Sequence, residues 1–363
     1  MEKWRARPHL DSHAGLFSQE VVGRDGDSPC FFVVPKTAID PPAGSGTVGD
    51  CVDLVPDGRR LDLFEVELWS GTFIPIVTDD YLQDTISLAF TRIVYPLDDW
   101  ARRFHVFLRH VYDPYMSGSR NPYTYIDWLL PDSQVYYRRV STGSGYSDAV
   151  FENEAHSPIF AWSRINWNGD GWDLALQNGT TYLSPEAYRA TRPQQGSLVA
   201  IFDEKGNEVQ LSRKFNGDLT QIKSPGKRFI TLAYDAQGAV TQLKDSDGNV
   251  VRYKYDATDR LVSVMYPNGR RIEYSYNSAN QIVGVEDSAD SSVVKIAYDA
   301  LNRVAQETLS NGSSYSFRYG PLQNGMNTWV EIAGPQSETV RVTLTGDSYS
   351  VSGIQASKAR ILP

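Results

Sequence analysis

Cysteine is almost missing from this chain: Cys30 and Cys51 are the two among 363 residues. No Cys-x-x-Cys pair exists, which excludes a thiolate zinc site of that kind. The two cysteines flank a Pro/Gly-rich stretch, and the sequence leaves open a disulfide closing that loop or a pair of reduced thiols. Histidine is scarce too, with five. His9 and His13 have the spacing of two ligands on one helix face, but their setting, RPHLDSHAG, is broken by Pro and Gly. His105 and His110, five apart, fall on opposite faces of a strand. No metal centre and no cofactor are expected.

No apolar run approaches the ~20 residues a spanning helix needs, so no membrane span is expected. The opening MEKWRARPHLDSHAGLF lacks the hydrophobic stretch of a signal peptide, which suggests either an internal part of a longer chain or export without a cleavable leader. Positive charge is not concentrated anywhere, and the net charge is −9. Phosphate contacts supply most nucleic-acid affinity, so a nucleic-acid partner is not expected. Nor is there a polybasic or amphipathic membrane-surface signal.

Catalytic signatures are equally lacking. There is no G-x-S-x-G elbow and no G-x-x-x-x-G-K-S/T loop. Asp79/Asp80 and Asp98/Asp99 are adjacent in sequence, so on a strand they point apart, and no glycosidic carboxylate pair can be inferred. Asp245, Asp247 and Asn249, with Asp256 further on, echo a calcium loop, but Val250 stands where that loop needs Gly and strands flank it. A turn is expected there instead. Asn178-Gly-Thr and Asn311-Gly-Ser match the glycosylation sequon, which matters only in a eukaryotic secretory setting. No catalytic residue is singled out, and the chain is not expected to be an enzyme.

What is abundant is tyrosine, 21 residues, beside 28 Gly and 19 Pro. Tyr suits half-buried strand faces because its ring is apolar and its tip polar. With 41% hydrophobic and 22% charged residues the chain reads as globular. Residues 1–50 read as an irregular arm or linker, through PPAGSGTVGD (41–50). Residues 51–199 carry short β-type runs such as FIPIV (73–77), ISLAFTRIVY (86–95) and VYYRRV (135–140), separated by turn clusters. The segment 97–110 fits neither the helical nor the strand period cleanly.

From about residue 200 the chain repeats. Tyr234-Asp235, Tyr255-Asp256, Tyr276-Asn277, Tyr298-Asp299 and Tyr319-Gly320 follow at intervals of 21, 21, 22 and 21 residues. Phe202-Asp203 and Phe215-Asn216 are weaker starts before them. Gly238, Asp259, Asn280 and Asn302 occupy a common slot ahead of a short apolar run. Before each Tyr the chain alternates with period two, as in Val251/Tyr253/Tyr255 against Arg252/Lys254. Each unit is therefore a hairpin, and neighbouring hairpins must pair edge to edge to bury one face. The Tyr column forms a ladder on that sheet, and the Asp after each Tyr starts the turn by bonding backbone amides. The expected fold is all-β: tandem two-stranded hairpins in a curved or spiralling antiparallel sheet, with the repeats at 200–320 and further strands at 321–363.

These residues resemble the YD-repeat (Rhs-repeat) family, and 51–199 is similar to the non-repeat domain that precedes the repeats in such proteins. The resemblance implies a β-shell, which encloses a C-terminal toxin in bacterial relatives and forms an adhesion ectodomain in animal ones. It implies an extracellular or cell-surface location. The Asp-Pro-x-Gly-Leu motif that closes such shells is not found. The function expected is a non-catalytic structural or carrier module of a shell, in a toxin-delivery or cell-surface assembly, that meets a protein partner or itself through open sheet edges. The alternative is a recognition module in which an aromatic sheet face, including Trp162, Trp167 and Trp172, binds a glycan (carbohydrate) or a cell-surface partner, with an enzyme of unknown type a distant third.

Overall fold

The computed structural model describes residues 66–355, apart from 69, 95–108, 121, 131–133, 154–159, 161, 188, 290, 324, 336–338 and 346–347. The expectations placed on the 1–50 arm, His9, His13, Cys30, Cys51, Asp98/Asp99 and His105 therefore lie outside the described residues. So does most of 97–110, of which Arg109–His110 is a short strand.

The described residues are nearly all strand. One 3-10 turn, Pro193–Gly196, is the helical content among them. The fold is all-β, as the period-two alternation predicts. From Tyr115–Gly118 onward each long strand pairs antiparallel with the next, through Trp329–Ala333 and Thr339–Thr345 to Ser348–Gln355. The sheet curves back on itself early: Tyr115 bridges Ser197, and the Leu198 amide donates to the Pro114 carbonyl at 3.2 Å.

The alternation decides which face is buried. In Val250–Tyr255, Val251 and Tyr253 are buried while Arg252 and Lys254 are exposed. The same pattern recurs in Phe229–Tyr234, Arg271–Tyr276 and Ser314–Tyr319. Burying such a Leu, Ile or Val side chain contributes about 1.5–3 kcal/mol, and a hairpin alone could not collect enough of it.

Residues 66–94 lie against this buried face. They form a ribbon, Val66–Glu67 with Thr72–Phe73, and then Ile76–Leu82 paired with Leu88–Ile93. Val66, Phe73, Leu82, Leu88 and Phe90 join the apolar side chains of the repeats in one core cluster.

Candidate functional site

The YD turns are built alike. The Asp235 carboxylate accepts the amides of Gln237 and Ala239, at 3.0 and 2.9 Å. Asp256 does the same with Thr258 and Arg260, Asn277 with Ala279 and Gln281, and Asp299 with Leu301 and Arg303. The slot three residues after each of these has a left-handed backbone: Gly238 at φ 91°, Asp259 at 63°, Asn280 at 62°, Asn302 at 64°. Gly, Asn and Asp tolerate that region best, which explains the composition of the slot. Asp203, in the weaker start, makes the same pair of bonds to Lys205 and Asn207.

In two repeats the turn is reinforced by arginine. Arg260 donates from Nε to Asp256 at 2.7 Å and lies over the Tyr276 ring; Arg303 donates to Asp299 at 2.8 Å and lies over Tyr319. Partial burial pushes the Asp256 carboxyl upward, but the bonds from Arg260 and Thr258 outweigh it and hold the pKa at about 2.

Each repeat tyrosine reaches back to the repeat before it. The hydroxyls of Tyr234, Tyr255, Tyr276, Tyr298 and Tyr319 donate to the carbonyls of Leu219, Val240, Leu261, Ile282 and Val304, at 2.7, 3.0, 2.7, 2.6 and 2.7 Å. A β-bulge just before Tyr234, Tyr255, Tyr276 and Tyr298 turns each side chain out of strict alternation. The period of the sequence is thus a period of hydroxyl-to-carbonyl ties between hairpins. Tyr319 is the exception in its turn, since Gly320 follows it and its strand pairs with Trp329–Ala333 rather than with a YD hairpin. The Asp245 loop is also a turn: its carboxylate accepts the amides of Asp247 and Asn249 and the Asn249 side-chain amide.

Residues 66–94 are fastened to the repeats at three places. At one end the Val304 amide donates to the Gly71 carbonyl at 2.8 Å, and the Asn327 side chain donates to the Leu68 carbonyl at 3.0 Å. At the other end Asp84 accepts from Ser224 and from the Arg228 amide. A Cβ on Gly226 would sit 1.8 Å from Asp84 Oδ1, so a larger residue there would displace that carboxylate.

Between them lies a fully buried polar node. Arg92 pairs with Asp79, Nε lying 3.0 and 2.8 Å from the two carboxylate oxygens. Tyr253 and Tyr266 donate their hydroxyls to the same carboxylate at 2.8 and 2.6 Å. Arg92 Nη1 donates to the Tyr274 hydroxyl at 2.6 Å, and its guanidinium lies 5.3 Å from that ring centre. Burial, and then the Asp79 charge, push the Tyr253 and Tyr266 hydroxyls far above the usual phenol range, so both remain donors.

The register shifts between Thr78 and Asp80, which places Asp80 opposite Phe90, two residues from Arg92. Such a bulge breaks the strict alternation of the strand at this pair, and of the two carboxyls it is Asp79 that bonds Arg92. Burial, followed by repulsion from Asp245, raises the Asp80 pKa to about 7.

His110 is buried beside Asp113, at 3.1 Å, and against the Phe90 ring; burial drives its pKa to about 4 and keeps it neutral. Among the described residues no group of three or more His, Cys, Asp or Glu side chains is arranged to hold a metal ion, and no helix is long and apolar enough to cross a membrane.

A family profile described as Teneurin YD-shell matches residues 220–326. That span contains most of the tyrosine ties and Asp turns set out above. Residues 220–326 are a YD-repeat segment. Among solved structures, the chain aligns with the Photorhabdus luminescens Tc holotoxin pore at 15% identity and TM-score 0.33, over 79% of this chain and 15% of that one. It aligns with a TcdB2-TccC3 structure lacking the hypervariable C-terminal region at 15% identity and TM-score 0.35, over 76% and 16%. A porin-like protein from Bacteroides uniformis aligns at 11% identity and TM-score 0.25, over 60% and 91%. The chain spans about 15–16% of the length of those toxin chains. No curated protein sequence matches it.

The repeat residues were legible in advance because each recurs at a fixed interval. Nothing in the sequence marks Asp79, Arg92 and the inward Tyr253, Tyr266 and Tyr274 as one group. The one signal for them was a pair of carboxylates and an arginine inside otherwise apolar strand runs.

Proposed function

We propose that the chain is a non-catalytic structural module of a YD-repeat shell, one component of a larger protein assembly. The observation that carries this reading is the triple attachment of residues 66–94 across the repeats, from Val304 and Asn327 through Tyr253, Tyr266 and Tyr274 to Ser224. A carrier needs internal volume, whereas this buried face is taken up by the chain's own side chains, which favours scaffold over carrier. In this reading residues 51–199 lead into the shell, 200–320 form its repeating wall and 321–363 continue it. An extracellular or cell-surface setting, in toxin delivery or adhesion, belongs to the same reading and rests on the resemblance to YD-repeat shells.

Assembly would run through backbone. A strand from a partner or a second copy would pair at an open edge of the sheet. Size-exclusion chromatography with light scattering, on the chain alone and mixed with the products of neighbouring genes, tests this. A defined complex or a concentration-dependent self-assembly supports it. A concentration-independent monomer that binds none of them overturns it.

A further inference from the structure

Four aromatic rings meet at one rim of the sheet that precedes the repeats. Trp167 and Trp172 lie edge to face with centroids 5.1 Å apart, and Tyr146 stands edge-on to Trp167 at 4.9 Å. Tyr123 touches both Tyr146 and Trp172, at 6.0 and 6.1 Å. Trp172 is buried and packs on Phe151, while Tyr146 is 48% exposed. The cluster therefore has a rooted side and an open one.

The open side is presented by a loop that would not hold its shape unaided. Residues 141–149 read STGSGYSDA, rich in Ser and Gly, and all but Ala149 are wholly or partly exposed. Ordering such a segment costs roughly 1–2 kcal/mol per residue in backbone entropy. Arg139 supplies the order. It donates to the carbonyls of Tyr123, Ser141, Thr142 and Gly145, at 3.2, 3.2, 2.9 and 2.5 Å, and to the Asp148 carboxylate at 3.2 Å. The Tyr123 amide donates to the Ser144 carbonyl, and the Ala149 amide to that of Tyr146. An arginine spent on the backbone of an exposed loop holds Tyr146 in one place.

We infer that this rim is a carbohydrate-binding subsite, with Tyr146 and the accessible part of Trp167 as the stacking platform. A rigid aromatic set among Ser, Thr, Gly and Asn gives large contact area with adaptable hydrogen bonding. Apart from the buried Arg139 guanidinium, the polar groups of the loop and the facing turn are neutral or acidic: Thr142, Ser144 and Ser147 on the loop, and Asn168 and Asp170 on the turn, where Asn168 is fixed by the Asp170 and Gly171 amides. Hydroxyls, amides and carboxylates suit the donors and acceptors of sugar hydroxyls, and the net charge of −9 disfavours anionic ligands. A protein partner would require about 800 Å² of contact, with several anchors. One half-exposed ring fits a sugar ring instead. This goes beyond the structural role proposed above and stands on different residues.

The test uses the intact chain and the fluorescence of Trp167 and Trp172, titrated with neutral chito-, cello-, malto- and galacto-oligosaccharides at millimolar concentration. A saturable change with at least one of the four is expected. Tyr146→Leu, which keeps an apolar contact on Trp167, should weaken it about tenfold with an unchanged melting temperature. Phe215→Ala, removing a ring 97% exposed on another loop, should leave it intact. No change with any of the four, or an equal change in Tyr146→Leu, overturns the inference. Should Tyr146→Leu unfold, Tyr146→Phe keeps the ring and must retain binding.

Discussion

The hydroxyl of Tyr276 donates a 2.7 Å hydrogen bond to the carbonyl of Leu261, the residue that opens the preceding strand. Four other tyrosines make the equivalent bond, so the conspicuous residue of the repeat is a tie between successive hairpins as well as an apolar surface.

Tyr276→Phe keeps the ring and removes the tie. Leu261 is buried, so its carbonyl loses a partner that water does not readily replace. The expected cost is about 1–3 kcal/mol, a lowering of the melting temperature by some degrees in calorimetry. An unchanged melting temperature would show that the hydroxyl contributes nothing.

Arg92→Met leaves the Asp79 carboxylate buried without its cation, and about 3–5 kcal/mol of destabilisation is expected in urea unfolding. Adding Asp79→Asn removes the stranded charge. The double variant should therefore be more stable than Arg92→Met alone, although it lacks more of the native side chains. Additive losses would contradict the pairing.

Asn302 occupies the left-handed slot at φ 64°. Asn302→Ala places an ordinary Cβ there and should cost about 1–2 kcal/mol, while Asn302→Gly should be near neutral or mildly stabilising. Paired thermal melts of the two variants check the order.

Acidity provides another check. Burial and Asp245 raise the Asp80 pKa from 3.8 to about 7, so the folded chain holds that proton more tightly than the unfolded chain does. The associated stability is present at low pH and is lost as pH climbs through about 7. Asp256 runs the other way: with its pKa at about 2, its contribution is lost as pH falls through that value. Melting temperature should therefore decline from about pH 5 to about pH 8, and Asp80→Asn should flatten the decline. A wild-type profile already flat over that range would contradict the assignment.

Much of the wall was legible because its determinants are local and periodic. The left-handed slot, the Asp that bonds two amides and the alternation of Val251 and Tyr253 with Arg252 and Lys254 each depend on residues within a few positions. The inner attachments depend on residues far apart in the chain: Arg92 meets Tyr274 and Asp79 meets Tyr266 across more than a hundred and fifty intervening positions. Nothing at Asp79 or Arg92 announces those partners, and the bulge between Thr78 and Asp80 undoes the one rule available for orienting them. The tyrosine ladder, read as ring-on-ring contact, has hydroxyl-to-carbonyl bonds as its regular element, which composition and spacing cannot distinguish.

The claim that residues 66–94 are an integral inner layer of the repeat sheet is tested most directly by hydrogen exchange, read by mass spectrometry, on the intact chain and on Arg92→Met. The account predicts amides of 76–93 as slow as those of Phe229–Tyr234 and Val250–Tyr255, with both regions accelerated together in the variant. Fast exchange in 76–93 beside protected repeats, or acceleration confined to 76–93, would contradict it.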